Sequence, residues 1–187
     1  LCSDDYYNET QSNSPLVTNL SSTMCLDYIA KTHSVDIFRS PVGEANVIKM
    51  MQEKNCSIGG EGNGGVIVKD LHLGRDSLIA ATMILNKLSK SKDSISTINN
   101  NFPKYYMIKN KFSIPDIDLD SFYKSLISKY SDATADIRDG LKLTWIDKWI
   151  HIRSSNTEPI IRIIGESTKQ DIIQSLIFEI SNHLNQI

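Results

Sequence analysis

The chain has 187 residues, 22 Asp+Glu against 20 Lys+Arg, and a formal net charge of −2. With 40% hydrophobic and 22% charged residues it has enough apolar material for one domain or two small ones, which excludes a disordered chain, and it has no basic excess to attract nucleic acid. Its longest apolar stretches, such as 78–84, fall far short of the roughly 20 residues a membrane span needs, so no membrane partner is expected.

The opening, LCSDDYYNETQSNS, is a polar run with neither a basic n-region nor an apolar h-region; no signal peptide is read there and no element is predicted before residue 15. A chain beginning this way reads as an excised piece of something longer. A strand is predicted over 15–19, a helix over 22–31, a strand over 35–39 and a helix over 44–54. Short strands at 56–60 and 65–69 flank a glycine-dense turn, and a helix over 76–88 presents one broad apolar face. This alternation is an α/β pattern on a mixed sheet.

Serine, lysine and asparagine dominate 89–103, which reads as a hinge or linker with at most one weak helix, anchored by Ile95, Ile98 and Phe102. Beyond it come a strand over 105–112, a helix over 119–130 capped by Asp118, strands over 133–137, 141–146, 149–153 and 159–165, and a helix over 169–184. Asp139-Gly140 is the strongest hairpin turn. The second half is therefore an α+β unit, an antiparallel sheet with helices on one side. The expected division is 1–90 and 91–187.

Two segments could carry chemistry. Gly59-Gly60-Glu61-Gly62-Asn63-Gly64-Gly65 lets backbone approach a ligand, while Glu61 accepts hydrogen bonds and Asn63 both donates and accepts, a set suited to sugar hydroxyls. The alternative is a flexible hairpin loop with incidental polar residues. A strand follows the loop instead of a helix and no Gly-Lys-Ser/Thr closes it, so it is neither a dinucleotide fingerprint nor a P-loop. The second segment is Arg153-Ser154-Ser155-Asn156-Thr157-Glu158-Pro159, where a guanidinium, hydroxyls and an amide could cradle phosphate. Arg153 could instead pair with Asp147 or Glu158. Arg39 and Glu44, around a loop entering a helix, and His72, Arg75 and Asp76 are weaker candidates, with capping explaining Glu44 and Asp76 almost as well. Trp145 and Trp149 read as core or sheet-face aromatics. The alternation Asp116, Asp118, Asp120 reads as capping, and the cysteines at 2, 25 and 56 as thiols of a cytoplasmic chain without metal-ligand spacing. No catalytic nucleophile and no metal cluster is found.

GGEGNGG at 59–65 and RSSNTEPIIR at 153–162, with VTNLSST at 17–23, RSPVGEANV at 39–47 and LHLGRDSL at 71–78, resemble the α-D-phosphohexomutase family along essentially the whole chain. The resemblance implies a four-domain enzyme that moves phosphate between the 1- and 6-positions of glucosamine, mannose or glucose phosphates through a hexose 1,6-bisphosphate. It equates 1–90 with the third domain, a mixed-sheet α/β unit lacking some of its beginning, and 91–187 with the fourth, of TATA-box-binding-protein-like topology. Glu61 and Asn63 would meet the sugar hydroxyls; Arg153, Ser155, Asn156 and Thr157 would grip the phosphate that is not transferred. Many relatives carry histidine where Glu44 and Gly65 stand and serine where Asn63 stands. The family's phosphoserine and magnesium ligands lie in its first two domains, so this piece alone is expected to bind hexose phosphate and to be inactive, its partners being the missing N-terminal domains. A stand-alone sugar-phosphate binding module is the competing reading, and a structural or nucleic-acid-binding protein a third.

Overall fold

Residues 1–113, 118–155 and 158–184 are described in the structure, a computed structural model, and the chain divides into two units, Leu1–Lys104 and Tyr105–Ile187. The first unit begins with α1 (Cys2–Thr10) and continues through β1 (Leu16–Asn19), α2 (Cys25–Thr32), β2 (Ile37–Ser40) and α3 (Glu44–Glu53) to the hairpin β3 (Ile58–Gly60) and β4 (Val66–Val68). It closes with α4 (Ser77–Lys90) and α5 (Ile95–Asn100). The sheet order is β2-β1-β3-β4, with β1 parallel to both β2 and β3, and β4 antiparallel to β3. Strand periodicity sorts the side chains into two cores. Leu16, Ile58 and Val68 pack with Tyr6, Tyr7 and Ile29 on one face, and Val17 and Ile67 with Val47, Met51 and Cys56 on the other. The crossover helices α2 and α3 thus lie on opposite faces, which leaves the ends of β1 and β2 open for loops at one edge.

Helix α1 was not expected. Of its nine residues only Tyr6 and Tyr7 supply sizeable buried apolar side chains, so there is no periodic signal to read. Tertiary contacts hold it: the Tyr7 hydroxyl donates to the Ser14 carbonyl at 2.9 Å and its ring stacks on His33, centroids 5.2 Å apart. Asp4 accepts from Lys87 Nζ at 2.7 Å and pairs with His33 Nε2 at 2.9 Å. Burial alone would raise the Asp4 carboxyl, yet the hydrogen bonds from Lys87 and His33 outweigh it and hold the group below the ordinary range. A depressed carboxylate stabilises the fold above its unfolded value near ~3.9, and the contribution vanishes as pH falls through the folded value. Asp4→Asn should therefore cost about 1–3 kcal/mol at neutral pH and little at pH ~2. Urea midpoints of both proteins across that range check this.

The boundary expected at 90/91 falls instead at Lys104/Tyr105. The serine- and asparagine-rich stretch folds as the end of α4 and as α5, capped by Ser94, with Ile98 buried and Phe102 packed on the first unit's core. Two anchors suffice to dock the segment, and they are too sparse to register as a pattern.

The second unit runs β5 (Tyr106–Ser113), α6 (Leu119–Lys129), β6 (Thr134–Asp136), β7 (Leu141–Thr144), β8 (Lys148–Ser154), β9 (Ile160–Ser167) and α7 (Gln170–Leu184). Its sheet, in the order β5-β9-β8-β7-β6, is antiparallel throughout. Phe122 and Leu126 of α6 and Ile173, Ile177 and Ile180 of α7 meet Leu141, Leu143, Ile150, Ile152, Ile161 and Ile163 in one core, so both helices cover the same face. The intervening residues, Lys142, Trp149, His151, Arg153, Arg162 and Glu166, alternate onto the other face. There the buried Trp149 donates through Nε1 to Glu166 at 3.1 Å. Trp145 packs against the helical core, edge-on to Tyr130. The aromatics are structural, as expected, and Asp118 caps α6 through the N–H groups of Asp120 and Ser121. Asp116 lies outside the described residues.

Candidate functional site

Two polar clusters stand out, one in each unit. In the first, the loop between β3 and β4 brings Glu61 against the ends of β1 and β2. Glu61 Oε1 accepts from Asn19 Nδ2 at 3.0 Å and from the Gly43 N–H at 3.1 Å, while Oε2 lies 3.3 Å from Arg75 NH1. Only 6% of the Glu61 side chain is exposed. A carboxylate so far out of water needs this many partners. Asn19 is itself fixed from within, its Oδ1 accepting from Ser22 Oγ at 3.0 Å and the Ser21 N–H at 2.9 Å. Thr18 Oγ1, 2.5 Å from Ser22 Oγ and 3.0 Å from the Gly60 carbonyl, ties that group to β3. The result is a buried polar chain from the end of β1 to the Glu61 carboxylate. Asn63 sits on the exposed tip of the loop, where its Oδ1 accepts from the Gly65 N–H at 3.1 Å in an Asx turn.

The weaker candidates resolve into supports. Arg39 donates to the carbonyls of Asn19, Ser22 and Thr23 and to Asp27 at 2.6 Å, holding the loop between β1 and α2. At the start of α3 the N-cap residue Gly43 gives its N–H to Glu61 Oε1. Glu44 accepts from the Arg75 backbone at 2.8 Å and its Nε at 3.0 Å, contacts that lower its carboxyl. Asp76 caps α4 through Leu78 and Ile79, and His72 is exposed on the turn after β4. The three cysteines form no disulfide.

In the second unit, β8, the central strand of the sheet, carries Arg153 near its end with 14% of its side chain exposed. Its Nε donates to Asp139 Oδ1 at 3.3 Å, and among the described residues the two carboxylates expected beside it pair elsewhere, Asp147 with Lys148, and Glu158 with Arg162 and Lys111. Asp139 belongs to the turn between β6 and β7, and its carbonyl lies 2.6 Å from His151 Nε2. A carbonyl can only accept, so the ring carries its proton on Nε2. Burial lowers the His151 pKa and keeps the ring neutral. Burial first, then the Asp139 and Asp120 charges, push the Tyr123 hydroxyl up to about 12, against a smaller opposing pull from Arg153. In the ladder, Arg153 stands directly opposite Arg162. Arg162 donates through NH2 to Glu158 at 3.0 Å, while its buried Nε has no hydrogen-bond partner among the described residues. The Ser155 N–H donates to the Ile160 carbonyl at 2.9 Å, closing the turn that follows β8. Asn156 and Thr157 lie outside the described residues.

Thus Glu61 and Asn63 share one loop, and Arg153 and Ser155 one strand end. Sequence reasoning missed Asn19, Asp139 and the pairing of Arg162 with Arg153. An arginine at alternate positions of two consecutive strands was the available signal for the last.

Residues 1–106 match the family described as phosphoglucomutase/phosphomannomutase, alpha/beta/alpha domain III. The chain is 35% identical over 162 residues to a phosphoglucomutase/phosphomannomutase of Thermococcus kodakarensis, a match covering 83% of this chain and 34% of that protein. It is 27% identical over 168 residues to a phosphoglucosamine/phosphogalactosamine mutase of Sulfurisphaera tokodaii, covering 88% and 37% respectively. Among solved structures, a phosphoglucomutase/phosphomannomutase family protein from Burkholderia thailandensis superimposes with a TM-score of 0.80 at 20% identity, over 98% of this chain and 40% of that one. The chain therefore spans little more than a third of the length of the curated relatives it matches, 34% and 37%.

Proposed function

The chain belongs to the phosphoglucomutase/phosphomannomutase family, and from that premise we propose that it supplies the sugar- and phosphate-binding portion of a hexose-phosphate mutase. In this reading the whole protein interconverts hexose 1-phosphate and hexose 6-phosphate, of glucosamine, mannose or glucose, through a hexose 1,6-bisphosphate. Glu61 and Asn63 accept and donate hydrogen bonds to the sugar hydroxyls from the third domain. The second unit is the fourth domain, of TATA-box-binding-protein-like topology, in which Arg153, Ser155, Asn156 and Thr157 grip the distal phosphate together with Arg162. The phosphoserine and the magnesium ligands belong to the preceding domains, which are this chain's partners, and a cytoplasmic location goes with the proposal. Among the described residues no group of three or more His, Cys, Asp or Glu could hold a metal ion.

The observation that carries the reading is the juxtaposed Arg153 and Arg162. Like charges directly opposite in a ladder destabilise it. Each guanidinium has one carboxylate partner, Asp139 or Glu158, and Arg162 Nε is buried without one. A phosphate dianion bound by the free edges of both forks offsets the two like charges. Because the bisphosphate must present either end to the transferring group, a grip specific for phosphate, and indifferent to which carbon bears it, is what the reaction requires.

The test is turnover of glucose, mannose and glucosamine 1-phosphates by the complete protein. At least one should be converted to its 6-phosphate, and Glu61→Ala should lower kcat/KM for it by about 10- to 100-fold. A folded protein that converts none of them would refute the proposal.

A further inference from the structure

We infer that Arg75 is the positioning residue of the sugar loop, fixing the plane of the Glu61 carboxylate, and that Glu44 aims Arg75; this rests on the reading of Glu61 as a sugar-binding group. Asn19 and the Gly43 N–H both bind the same Glu61 oxygen, Oε1. An anchor at one oxygen leaves the terminal torsion of glutamate, which is broad and roughly two-fold, to rotate the second oxygen. Arg75 NH1, 3.3 Å from Oε2, defines that second point and supplies the countercharge that a carboxylate so far from water requires. A hydroxyl can be recognised with directionality only if the lone pairs it meets are held still.

Arg75 is in turn located with little freedom. Its backbone N–H and its Nε both donate to Glu44, at 2.8 and 3.0 Å, one to each carboxylate oxygen. The next residue, Asp76, caps α4 through Leu78 and Ile79, so the main chain beneath Arg75 is pinned as well. The side chain then passes over Gly65. A Cβ at position 65 would lie 2.4 Å from Arg75 Cδ and 2.7 Å from Cγ, so any residue other than glycine pushes the guanidinium off its path. The first residue of α3, the start of α4 and the sugar loop thereby converge on one carboxylate. Arg75 keeps 40% of its side chain exposed, against 6% for Glu61.

The experiment is a double-mutant cycle in the complete protein, read as kcat and KM for the hexose phosphate it converts, with a melting temperature for each variant. Arg75→Ala should raise KM about tenfold with a much smaller change in kcat, and in a Glu61→Ala background it should add nothing. Gly65→Ala, which keeps both charges, should raise KM in the same direction, and Arg75→Lys should recover part of the loss. If Glu61→Ala is crippling while Arg75→Ala leaves KM unchanged, or if the two effects simply add, the positioning role is overturned and the sugar-binding reading survives. If Glu61→Ala has no effect, the sugar-binding reading falls and takes this inference with it. Should Arg75→Ala fail to fold, Arg75→Gln and Gly65→Ala decide the same question.

Discussion

If the proposed function holds, replacing Arg153 with alanine should lower kcat/KM of the complete protein about 100-fold, mostly through KM, and should weaken binding of glucose 1,6-bisphosphate in a calorimetric titration by a similar factor. Two losses combine. The guanidinium fork toward phosphate disappears, and charge-assisted hydrogen bonds of this kind are worth about 1.5–3 kcal/mol. Asp139, now held 3.3 Å from Arg153 Nε, is left without that counterion beside an incoming dianion. A factor of 100 corresponds to about 2.7 kcal/mol, within reach of the first effect alone. Arg153→Lys should fall between the two, since a lysine restores charge but cannot bind phosphate and Asp139 as one planar fork. Saturation behaviour unchanged by Arg153→Ala would remove the phosphate role from this strand end and leave Arg153 as a structural partner of Asp139.

Much of the framework was legible because it is written in local periodicity. The apolar runs around Val17, Ile67, Ile150 and Ile163 identify the strands, and the spacing in 44–54 and 76–88 the helices that became α3 and α4. What escaped depends on residues distant in sequence. Helix α1 owes its place to Asp4 meeting Lys87 and to Tyr7 meeting His33. No window of the chain contains both members of either pair. Helix α5 docks on two side chains in a polar stretch, and that moved the domain boundary. At the sites, residue types suited to sugar and phosphate were readable, whereas the partners that orient them were not. Asp139 was legible only as half of an Asp-Gly turn, although it also meets Arg153 and His151.

That turn carries the largest stability prediction. Gly140 has φ +74°, and a Cβ on it would lie 2.3 Å from the Ile152 carbonyl oxygen and 2.9 Å from Arg153 Cα. Those are backbone atoms of β8, which cannot swing aside as a flexible side chain can. Gly140→Ala must therefore bear a left-handed conformation, at about 1–2 kcal/mol, and also part the turn from the strand beneath it. The expected total is about 2–4 kcal/mol, a fall in melting temperature on the order of 10–25 °C for a unit of this size. Both tryptophans, Trp145 and Trp149, lie in the second unit, so fluorescence reports its unfolding alone. An unchanged fluorescence transition would mean the turn relaxes without loss, and the tight packing of Gly140 on β8 would be wrong. A lowered transition should come with weaker phosphate binding even at temperatures where the unit stays folded, because the displaced turn carries Asp139 away from Arg153. Under the proposed phosphate role, stability and recognition in this unit meet at one glycine: Gly140 packs against the Ile152 carbonyl and Arg153 Cα, and the residue before it, Asp139, holds its Oδ1 3.3 Å from Arg153 Nε.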